Sequence, residues 1–394
     1  MRLTMNPESP SNLQHLTGEP SYSTLGANSL PEGEAEMRFV KRLVTVCLGT
    51  TMILAAGYLV AVFLTDGAIL LRPSALALER QELYTDMVHH PGDALDGTGV
   101  TVCIVDSGID MSHEDLDGLT LAGWKDFVNQ RGEPYDDEGH GTAMAGILVA
   151  DGWIEGMATG VDLLVAKALG SDGSGDDSLV AEAVDWCVAQ GADIISLSLG
   201  GAPGILPFNT GTGRDSGEAS ADAIEEGVLV VAAAGNDGTD EDDRDVAHPS
   251  SERDVISVGG VTPTRESWSG SSKGENDGSI LPLPVILPRS DPNKKPEIVA
   301  PGQGVPVLTT DGAWGLADGT SASTVYVTGA LALLLEQRPD LQADSDSSSQ
   351  DTVAAIKTWL MESVVPQEGQ NGHDDRYGYG LLHMEALIER AEAD

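Results

Sequence analysis

Between residues 100 and 335, the sequence alternates short apolar runs of strand length with longer segments of helical spacing. The predicted strands are 100–105, 161–168, 192–199, 228–233 and 255–261, and the predicted helices are 141–150, 179–189, 219–226 and 325–335. A crossover between parallel strands is long enough to hold a helix, which then packs on one face of the sheet. The alternation therefore predicts an α/β fold, a mainly parallel sheet with helices on both faces.

The chain is strongly acidic, with a formal net charge of −42 over 394 residues. Residues 95–394 carry 53 acidic and 15 basic side chains, and a field of that sign repels nucleic-acid phosphates. We therefore expect no nucleic-acid partner. An acidic surface with more Arg than Lys is typical of proteins from salt-loving organisms, so we interpret the charge as halophilic. A preference for basic substrates is the alternative.

The first 94 residues lack this alternation and divide into three segments. Residues 1–42 are expected to be a disordered N-terminal segment, since 1–36 are rich in Pro, Ser, Asn and Glu. Residues 43–64 carry no charge, and a helix of this length spans about 33 Å, enough to cross a bilayer core. They predict a transmembrane anchor or uncleaved signal, with a cleaved signal peptide as the competing interpretation. Residues 65–94 are predicted to form a juxtamembrane connector.

Basic residues predict the orientation of this span. Arg38, Lys41 and Arg42 lie just before it, whereas Arg72 and Arg80 are the nearest basic residues after it. The positive-inside tendency places the N-terminus in the cytoplasm and the large domain outside, as a single-pass protein of the cell membrane. If the segment is cleaved, the protein is secreted.

The three cysteines, Cys47, Cys103 and Cys187, have no metal-ligand spacing. Cys103 lies in a predicted buried strand and Cys187 in a predicted helix. We interpret them as small buried hydrophobic residues and do not expect a scaffold held by disulfides.

The stretch 318–323, Asp-Gly-Thr-Ser-Ala-Ser, leads into an apolar helix. A helix start has unpaired backbone N–H groups and partial positive charge, so a hydroxyl there lies beside donors for a developing oxyanion. Taken alone, the stretch is explained more simply if Ser321 or Ser323 is an N-cap.

Three other stretches favour a catalytic serine over an N-cap. They are 102–110 (Val-Cys-Ile-Val-Asp-Ser-Gly-Ile-Asp), 139–146 (Gly-His-Gly-Thr-Ala-Met-Ala-Gly) and 231–236 (Val-Ala-Ala-Ala-Gly-Asn). Together with 318–323 they resemble, in order, the motifs of the subtilisin-like serine proteases, the subtilases. The resemblance extends from about Leu95 to Ala391 and implies a subtilisin-like three-layer α/β fold, with residues 95–394 as the catalytic domain.

The resemblance assigns roles to four residues. Ser321 is the expected nucleophile, His140 its general base, and Asp106 the carboxylate that orients the imidazole. Asn236 is the expected side-chain donor to the oxyanion. In subtilisin itself, loss of the equivalent donor lowers turnover about 10²–10³-fold. His113 is interpreted as structural.

The resemblance also predicts where a peptide substrate binds. Gly173, Ser174 and Gly175 would form an edge to which the extended substrate adds as a strand. Ser198, Leu199 and Gly200 are expected to line one wall of the pocket for the side chain before the cut. Ala234 and Gly235 are further expected substrate-binding residues. The segment 237–245, with six acids in nine residues, would neighbour this pocket. We interpret it as a solvated halophilic loop, with a preference for basic residues before the cut, or a cation site, as the alternative.

Several features depart from the family or leave alternatives open. Only 30 residues, 65–94, separate the span from the domain, too few for the inhibitory pro-domain usual in secreted subtilases. After Ser321 this chain has Ala322 and Val325, where the family usually has Met and Pro. These departures keep open a catalytically silent subtilase fold that binds peptides or serves as a scaffold. A nucleotide-dependent α/β enzyme is disfavoured, because the expected glycine and lysine motifs are missing.

The resemblance implies that no cofactor is required, and that structural calcium is compatible with the fold. The spacing of acidic residues identifies no metal ligands. We expect the protein to act as a monomer on protein or peptide substrates.

Overall fold

The computed structural model describes residues 32–64, 72–201, 214–239, 244–280, 285–343, 345 and 349–394. The chain separates into two compact units, 1–67 and 68–394. Of the segment 1–42 that was expected to be disordered, residues 1–31 lie outside the described residues. Residues 202–213 and the acidic residues 240–243 also lie outside them.

The larger unit is built on a seven-stranded sheet in which every pairing between neighbouring strands is parallel. The strands are β1 (Thr101–Asp106), β2 (Gly123–Asp126), β3 (Asp162–Lys167), β4 (Ile194–Leu197), β5 (Leu229–Ala233), β6 (Ile256–Val261) and β7 (Ile298–Pro301). They stand in the order β2-β3-β1-β4-β5-β6-β7. This confirms the predicted mainly parallel α/β fold.

Helices form two groups around the sheet. One group contains α3 (His140–Val149) and α6 (Thr320–Gln337), which pack on each other and on sheet strands. The other contains α4 (Asp177–Ala189) and α5 (Ser216–Glu225), which likewise contact each other and the sheet. Fifteen of the eighteen residues of α6 are buried, because the sheet, α3 and the C-terminal helix α8 (Met384–Glu392) all pack on it.

Two further elements complete the unit. The strands β8 (Val305–Leu308) and β9 (Trp314–Ala317) form an antiparallel hairpin that contacts α3 through β8. Helix α7 (Gln350–Glu362) packs against α8. The hairpin leads directly into the turn before α6, so it fixes the entry of the chain into that helix.

The unit begins earlier in the chain than the sequence predicted. Helix α2 (Ala75–Met87) lies within the segment expected to be a connector, yet Tyr84 and Met87 are buried in the same core as the sheet. The Tyr84 hydroxyl donates to the Gln303 carbonyl. The burial of this helix depends on contacts with residues more than 200 positions away, which no local sequence pattern reveals.

The smaller unit contains one described helix, α1 (Glu32–Leu64). It starts eleven residues before the predicted span, so residues 32–42 are helical where disorder was expected. By length and composition, the stretch Glu36–Ala61 is apolar enough to cross a membrane, a test that a signal sequence near the N-terminus also passes.

Cys103 and Cys187 are fully buried, as predicted, but the expectation that they form no disulfide was wrong. Cys103 on β1 and Cys187 on α4 form a disulfide, with their Cα atoms 5.8 Å apart. That separation lies within the range that a disulfide can bridge. The two cysteines are 84 positions apart in the sequence, so no local pattern indicates that they meet. Cys47 is an exposed free thiol on α1.

Candidate active site

The predicted site residues gather at one edge of the sheet. Because all the strands run parallel, their carboxyl ends share this edge, where α/β proteins build their sites. Asp106 is the last residue of β1, and β3 ends one residue before the loop 168–175. Ser198 follows β4, and Asn236 lies three residues after β5. Sequence-distant polar residues thus become neighbours.

Asp106 and His140 form a direct hydrogen-bonded pair. The Nδ1 atom of His140 lies 2.8 Å from Asp106 Oδ1 and 2.9 Å from Oδ2. The carboxylate is fully buried, whereas about a third of the imidazole side chain is exposed. Asp106 raises the pKa of His140 from its usual 6.5 to about 9, with smaller contributions from Glu138 and Asp136 that also favour the charged ring. The geometry leaves Nε2 of His140 directed away from the carboxylate and available to a substrate or nucleophile.

Asp136 holds the start of α3 in place beside Asp106. Its carboxylate accepts hydrogen bonds from the N–H groups of Gly139 (2.8 Å) and Thr142 (2.8 Å) and from the Thr142 hydroxyl (2.6 Å). It also accepts from the hydroxyl of Ser107, the residue after Asp106. Although burial opposes it, these hydrogen bonds lower the pKa of Asp136 below its usual value. One anion therefore links the segment of His140 to the segment of Asp106.

Glycine is required where these two segments touch. Gly108 has a φ of 121°, and a Cβ added to it would stand 2.1 Å from the Tyr135 carbonyl oxygen. A Cβ on Gly141 would stand 2.1 Å from the Gly108 carbonyl oxygen. The turn after Asp106 and the first turn of α3 can approach this closely only because both positions lack side chains.

Ser321 occupies the first turn of α6. The helix is capped by Gly319 without a side-chain hydrogen bond, so the N-cap interpretation of Ser321 and Ser323 is wrong. The Ser321 hydroxyl is half-buried and donates to the Ser198 carbonyl at 3.0 Å. Among the described contacts, no hydrogen bond joins it to His140. Ser323 is fully buried and bonds to the carbonyls of Ala300 and Pro301, so it is a structural residue.

Asn236 is held with its amide nitrogen free to donate. Its Oδ1 accepts hydrogen bonds from the N–H and the hydroxyl of Thr320, each at 3.0 Å. A backbone N–H can only donate, so this contact fixes which amide atom is the oxygen. A Cβ placed on Gly319 would stand 3.6 Å from Asn236 Nδ2 and 3.8 Å from the Ser321 nitrogen. The two donors thus flank one small space beside Gly319.

A cleft of about 470 Å³ runs from His140 along the sheet edge. It brings together six of the predicted substrate-binding residues, Gly173, Ser174, Gly175, Ser198, Leu199 and Gly200. Ala234 and Gly235 do not line this cleft, but lie across from Gly200 on the chain after β5. The rest of the wall is formed by Glu138, Leu169 and Gly201, together with His248 and residues of α4 and α5.

Ala247 lies between Gly200 and Gly235, two of the predicted substrate-binding residues. A Cβ on Gly200 would stand 2.7 Å from the Ala247 Cβ, and one on Gly235 would stand 3.2 Å from it. The nearby acid Asp245 is buried and paired with Arg289 at 2.7 Å, while Asp237 accepts the Ser272 hydroxyl. These two acids of the segment 237–245 are therefore engaged by protein groups.

One group of ionisable side chains in the described part of the chain is close enough to share an ion. It consists of Asp177, Asp215 and His248, whose ligand atoms lie within 4.8 Å of one another. Calcium prefers six to eight oxygen ligands. This group offers an imidazole whose Nε2 already accepts the Gly217 N–H at 3.2 Å. The donor set does not fit a calcium ion.

Three residues of the site were missed from the sequence. Thr320 orients Asn236, Asp136 orients the start of α3, and Ala247 lies between Gly200 and Gly235. Thr320 and Asp136 were visible as polar residues beside motif residues, which was the only available signal. His113, predicted to be structural, is buried and bonds through Nε2 to the Ala313 carbonyl.

The chain is similar to known subtilases over most of its length. The model of the subtilase family matches residues 97–380. Subtilisin E of Bacillus subtilis strain 168 is 30% identical over 297 residues, covering 74% of this chain and 66% of subtilisin E. The major intracellular serine protease of the same organism is 34% identical over 305 residues, covering 75% of this chain and 84% of that protein.

A solved structure supports the same relationship. The crystal structure of a cold adapted subtilisin-like serine proteinase matches with a TM-score of 0.55 at 26% identity, over 74% of this chain and 90% of that chain. These similarities in sequence and in fold agree with two observations made above. The four motifs follow the order known for subtilases, and the structure brings them together at one edge of the sheet. The chain belongs to the subtilase family of serine peptidases.

Proposed function

We propose that this protein is a serine endopeptidase that hydrolyses peptide bonds with Ser321, His140, Asp106 and Asn236. The observation that carries the proposal is the Asp106–His140 pair, 2.8 Å apart, at the sheet edge where Ser321 and Asn236 also lie. A bidentate carboxylate on Nδ1 fixes the tautomer that leaves Nε2 as the proton acceptor. This is the arrangement that a serine nucleophile needs.

In the proposed mechanism, Ser321 Oγ attacks the scissile carbonyl carbon while His140 Nε2 accepts its proton. The carbonyl oxygen becomes negative and receives hydrogen bonds from Asn236 Nδ2 and the Ser321 N–H, two donors that are already in place. His140 then gives the proton to the leaving amine, which departs and leaves an acyl group on Ser321. In the second half of the reaction, water attacks this acyl group while His140 accepts its proton, and the acyl group is released from Ser321. Asp106 stabilises the imidazolium in both halves.

A catalytically silent peptide-binding protein is the second candidate. The observation that favours it is the Ser321 hydroxyl, which donates to the Ser198 carbonyl at 3.0 Å rather than to His140. In the enzyme, a rotation about the Cα–Cβ bond of Ser321 must exchange this hydrogen bond for one to Nε2. Catalytic hydrogen bonds often tighten only when substrate binds, so we favour the enzyme.

Labelling with a fluorophosphonate probe, in high salt, separates the two candidates. An active protease is labelled, and the label is lost in Ser321→Ala and in His140→Ala. Ser323→Ala is the matched control, because that hydroxyl lies two residues away but is buried in structural contacts; it should stay labelled. A folded wild type that takes no label across salt and pH would support the silent protein.

We also propose that residues 43–64 anchor the protein in the cell membrane, with the N-terminus cytoplasmic and the catalytic unit outside, or that they direct its secretion. The Cys103–Cys187 disulfide supports an exported catalytic unit, because disulfides persist in oxidising compartments. Protease protection of intact cells tests the orientation. A catalytic unit digested only after lysis would contradict it.

Three further assignments accompany this proposal. All the proposed catalytic groups come from one chain, so we propose that a monomer is active on protein or peptide substrates. No cofactor takes part in the proposed mechanism. The net charge of −42 supports a halophilic origin.

A further inference from the structure

Tyr84 on α2 contacts the short segment 302–304, which connects β7 to β8. The Tyr84 side chain is fully buried, and its hydroxyl donates to the Gln303 carbonyl, 219 positions later in the chain. Helix α2 precedes residues 97–380, which match the family model. The contact therefore joins the larger unit's first helix to a segment beside the proposed nucleophile, and none of the four motifs indicates it.

The peptide unit Gln303–Gly304 links Tyr84 to the turn before Ser321. Its carbonyl accepts the Tyr84 hydroxyl, and its N–H donates to Asp318 Oδ1 at 2.6 Å. A peptide unit is planar and rigid, so a contact that fixes its carbonyl also fixes the direction of its N–H. Hydrogen bonds in such a chain also strengthen one another. The position of Asp318 therefore depends on Tyr84 through a single rigid group.

The residue before this peptide unit holds the other half of the turn. The Gly302 carbonyl accepts the Gly319 N–H at 2.8 Å, and the Gly302 N–H donates to the Val261 carbonyl at the end of β6 at 3.0 Å. The sheet therefore fixes Gly302, whereas α2 fixes the peptide unit that follows it. The turn 318–319 is held from both sides, by the sheet through Gly302 and by α2 through Tyr84.

This turn determines where the two proposed oxyanion donors lie. It leads into Thr320, which orients Asn236, and then into Ser321, whose N–H is the second donor. Both donors flank the space beside Gly319. Oxyanion donors act only within hydrogen-bond distance of the developing charge, and a misplacement of about 1 Å can lower a rate about 10²-fold. A small movement of the turn should therefore lower the rate.

Tyr84 stays a donor over the pH range of the proposed reaction. Burial raises the pKa of Tyr84 from its usual 10 to about 12; Arg80 acts against this shift and Asp318 adds to it. The pKa of His140 is about 9, so the general base becomes neutral while the Tyr84 hydroxyl is still protonated. The hydrogen bond to Gln303 is therefore present in the active enzyme.

We propose that Tyr84 is a positioning residue for the peptidase reaction: through the Gln303–Gly304 peptide unit, its hydroxyl sets the turn from which Ser321 enters the site. This inference rests on the proposed endopeptidase function and adds α2 to the parts of the chain that the reaction needs. Loss of the hydroxyl frees one side of the turn while Gly302 still holds the other. We therefore expect kcat to fall about fivefold, less than the full misplacement would cost.

The test measures kcat and KM for one peptide substrate, at one pH, with the full-length wild type, Tyr84→Phe and Tyr326→Phe. Tyr326 on α6 is the matched control, because its buried ring packs edge-to-face on Tyr84 with the centroids 6.4 Å apart. Among the described residues, none forms a hydrogen bond with the Tyr326 hydroxyl. The rate constant of fluorophosphonate labelling reports on Ser321 without a peptide. Denaturant unfolding verifies that each variant is folded in the assay.

A third variant, Asp318→Ala, removes the other end of the same link. Asp318 is exposed, so this variant decides the question if Tyr84→Phe does not fold. The double variant Tyr84→Phe/Asp318→Ala shows whether the two side chains act together. If they act through one peptide unit, the double variant should be no slower than the slower single variant.

The inference expects kcat and the labelling rate to fall about fivefold in Tyr84→Phe and in Asp318→Ala, with KM unchanged, and to stay at the wild-type values in Tyr326→Phe. A folded Tyr84→Phe or Asp318→Ala with wild-type kcat would overturn it. So would an equal loss in Tyr326→Phe, or losses that multiply in the double variant. Each of these results leaves the endopeptidase proposal standing. A folded wild type that cleaves no peptide and takes no label overturns both proposals.

Discussion

Thr320 donates two hydrogen bonds to Asn236 Oδ1, one from its backbone N–H and one from its hydroxyl, each 3.0 Å long. Its hydroxyl oxygen also accepts the Gly235 N–H at 3.1 Å. The residue that precedes the proposed nucleophile thus orients the proposed oxyanion donor. A helix start and a strand end are coupled through one side chain.

Replacing Thr320 by Val should lower kcat about tenfold and leave KM nearly unchanged. The substitution keeps the side-chain shape but removes the hydroxyl that holds Asn236, so the cost should fall on the transition state. Asn236→Ala is the reference variant. For it we expect the loss in kcat of about 10²–10³-fold that is known for the equivalent position of subtilisin, a value that does not come from this structure. A Thr320→Val variant with wild-type kcat, or a change confined to KM, would contradict the assignment.

The pH dependence of kcat/KM should show an acid limb well above the 6.5 of a free imidazole, near pH 9 at low salt. Only neutral His140 can accept the proton of Ser321, and the Asp106 carboxylate raises the pKa of His140 to about 9. Activity therefore rises as pH rises through this value. A pH profile of kcat/KM measures the limb, and Asp106→Asn should move it down. A wild-type limb at or below pH 6.5 would refute the expectation.

The Asp106–His140 pair makes stability depend on pH in the opposite direction to activity. The folded pKa of His140 is above its unfolded value, so its contribution to the free energy of unfolding is complete below about pH 6.5 and is lost as pH rises through about 9. The pH range of greatest activity is then the range in which this pair stabilises the fold least. Denaturant unfolding of the wild type and His140→Ala from pH 6 to pH 10 measures this difference.

Asp136→Asn should destabilise the protein by about 1–3 kcal/mol at pH 7. The amide group replaces one acceptor oxygen, which leaves donors of the Gly139–Thr142 turn unsatisfied. Because the folded pKa of Asp136 is below its usual value, its contribution is present at neutral pH and is lost as pH falls below about 4. Denaturant unfolding at pH 7 and in acid should therefore show a smaller difference between wild type and variant in acid. A constant difference would argue against the network.

Reducing the Cys103–Cys187 disulfide should lower the melting temperature. It closes a loop of 84 residues, and the loss of chain entropy in the unfolded state corresponds to at most about 4–5 kcal/mol. Thermal unfolding with and without a reductant provides the measurement. The double variant Cys103→Ala/Cys187→Ala is the control and should not respond to reductant. Equal melting temperatures for the reduced and oxidised wild type would exclude a stabilising role.

The sequence predicted the features that depend on local pattern. Apolar runs identified five of the seven strands of the sheet, β1 and β3 to β6, but not β2 and β7. Asp106 stands at the end of the first of these runs. His140 and Ser321 each stood at a helix start flanked by small residues. These patterns involve neighbours in the chain, so one sequence was sufficient to recognise them.

Features that depend on contacts between distant segments could not be predicted. The Cys103–Cys187 disulfide requires that β1 and α4 meet at a Cα separation of 5.8 Å. The orientation of Asn236 depends on Thr320, 84 positions later. The position of the Glu138 carboxylate beside Gly173 depends on how the loop before α3 packs against the loop after β3. In each case the residue was visible but its partner was not.

Helix α2 limits the positions at which the chain can be cut without damaging the core of the larger unit. Tyr84 and Met87 belong to the core of the catalytic unit, and the Val88 carbonyl accepts the Met384 N–H at the start of α8. A cut within or after α2 would remove core side chains and leave a cavity. In the membrane-anchored form proposed above, release of the intact larger unit therefore requires cleavage on the N-terminal side of Ala75.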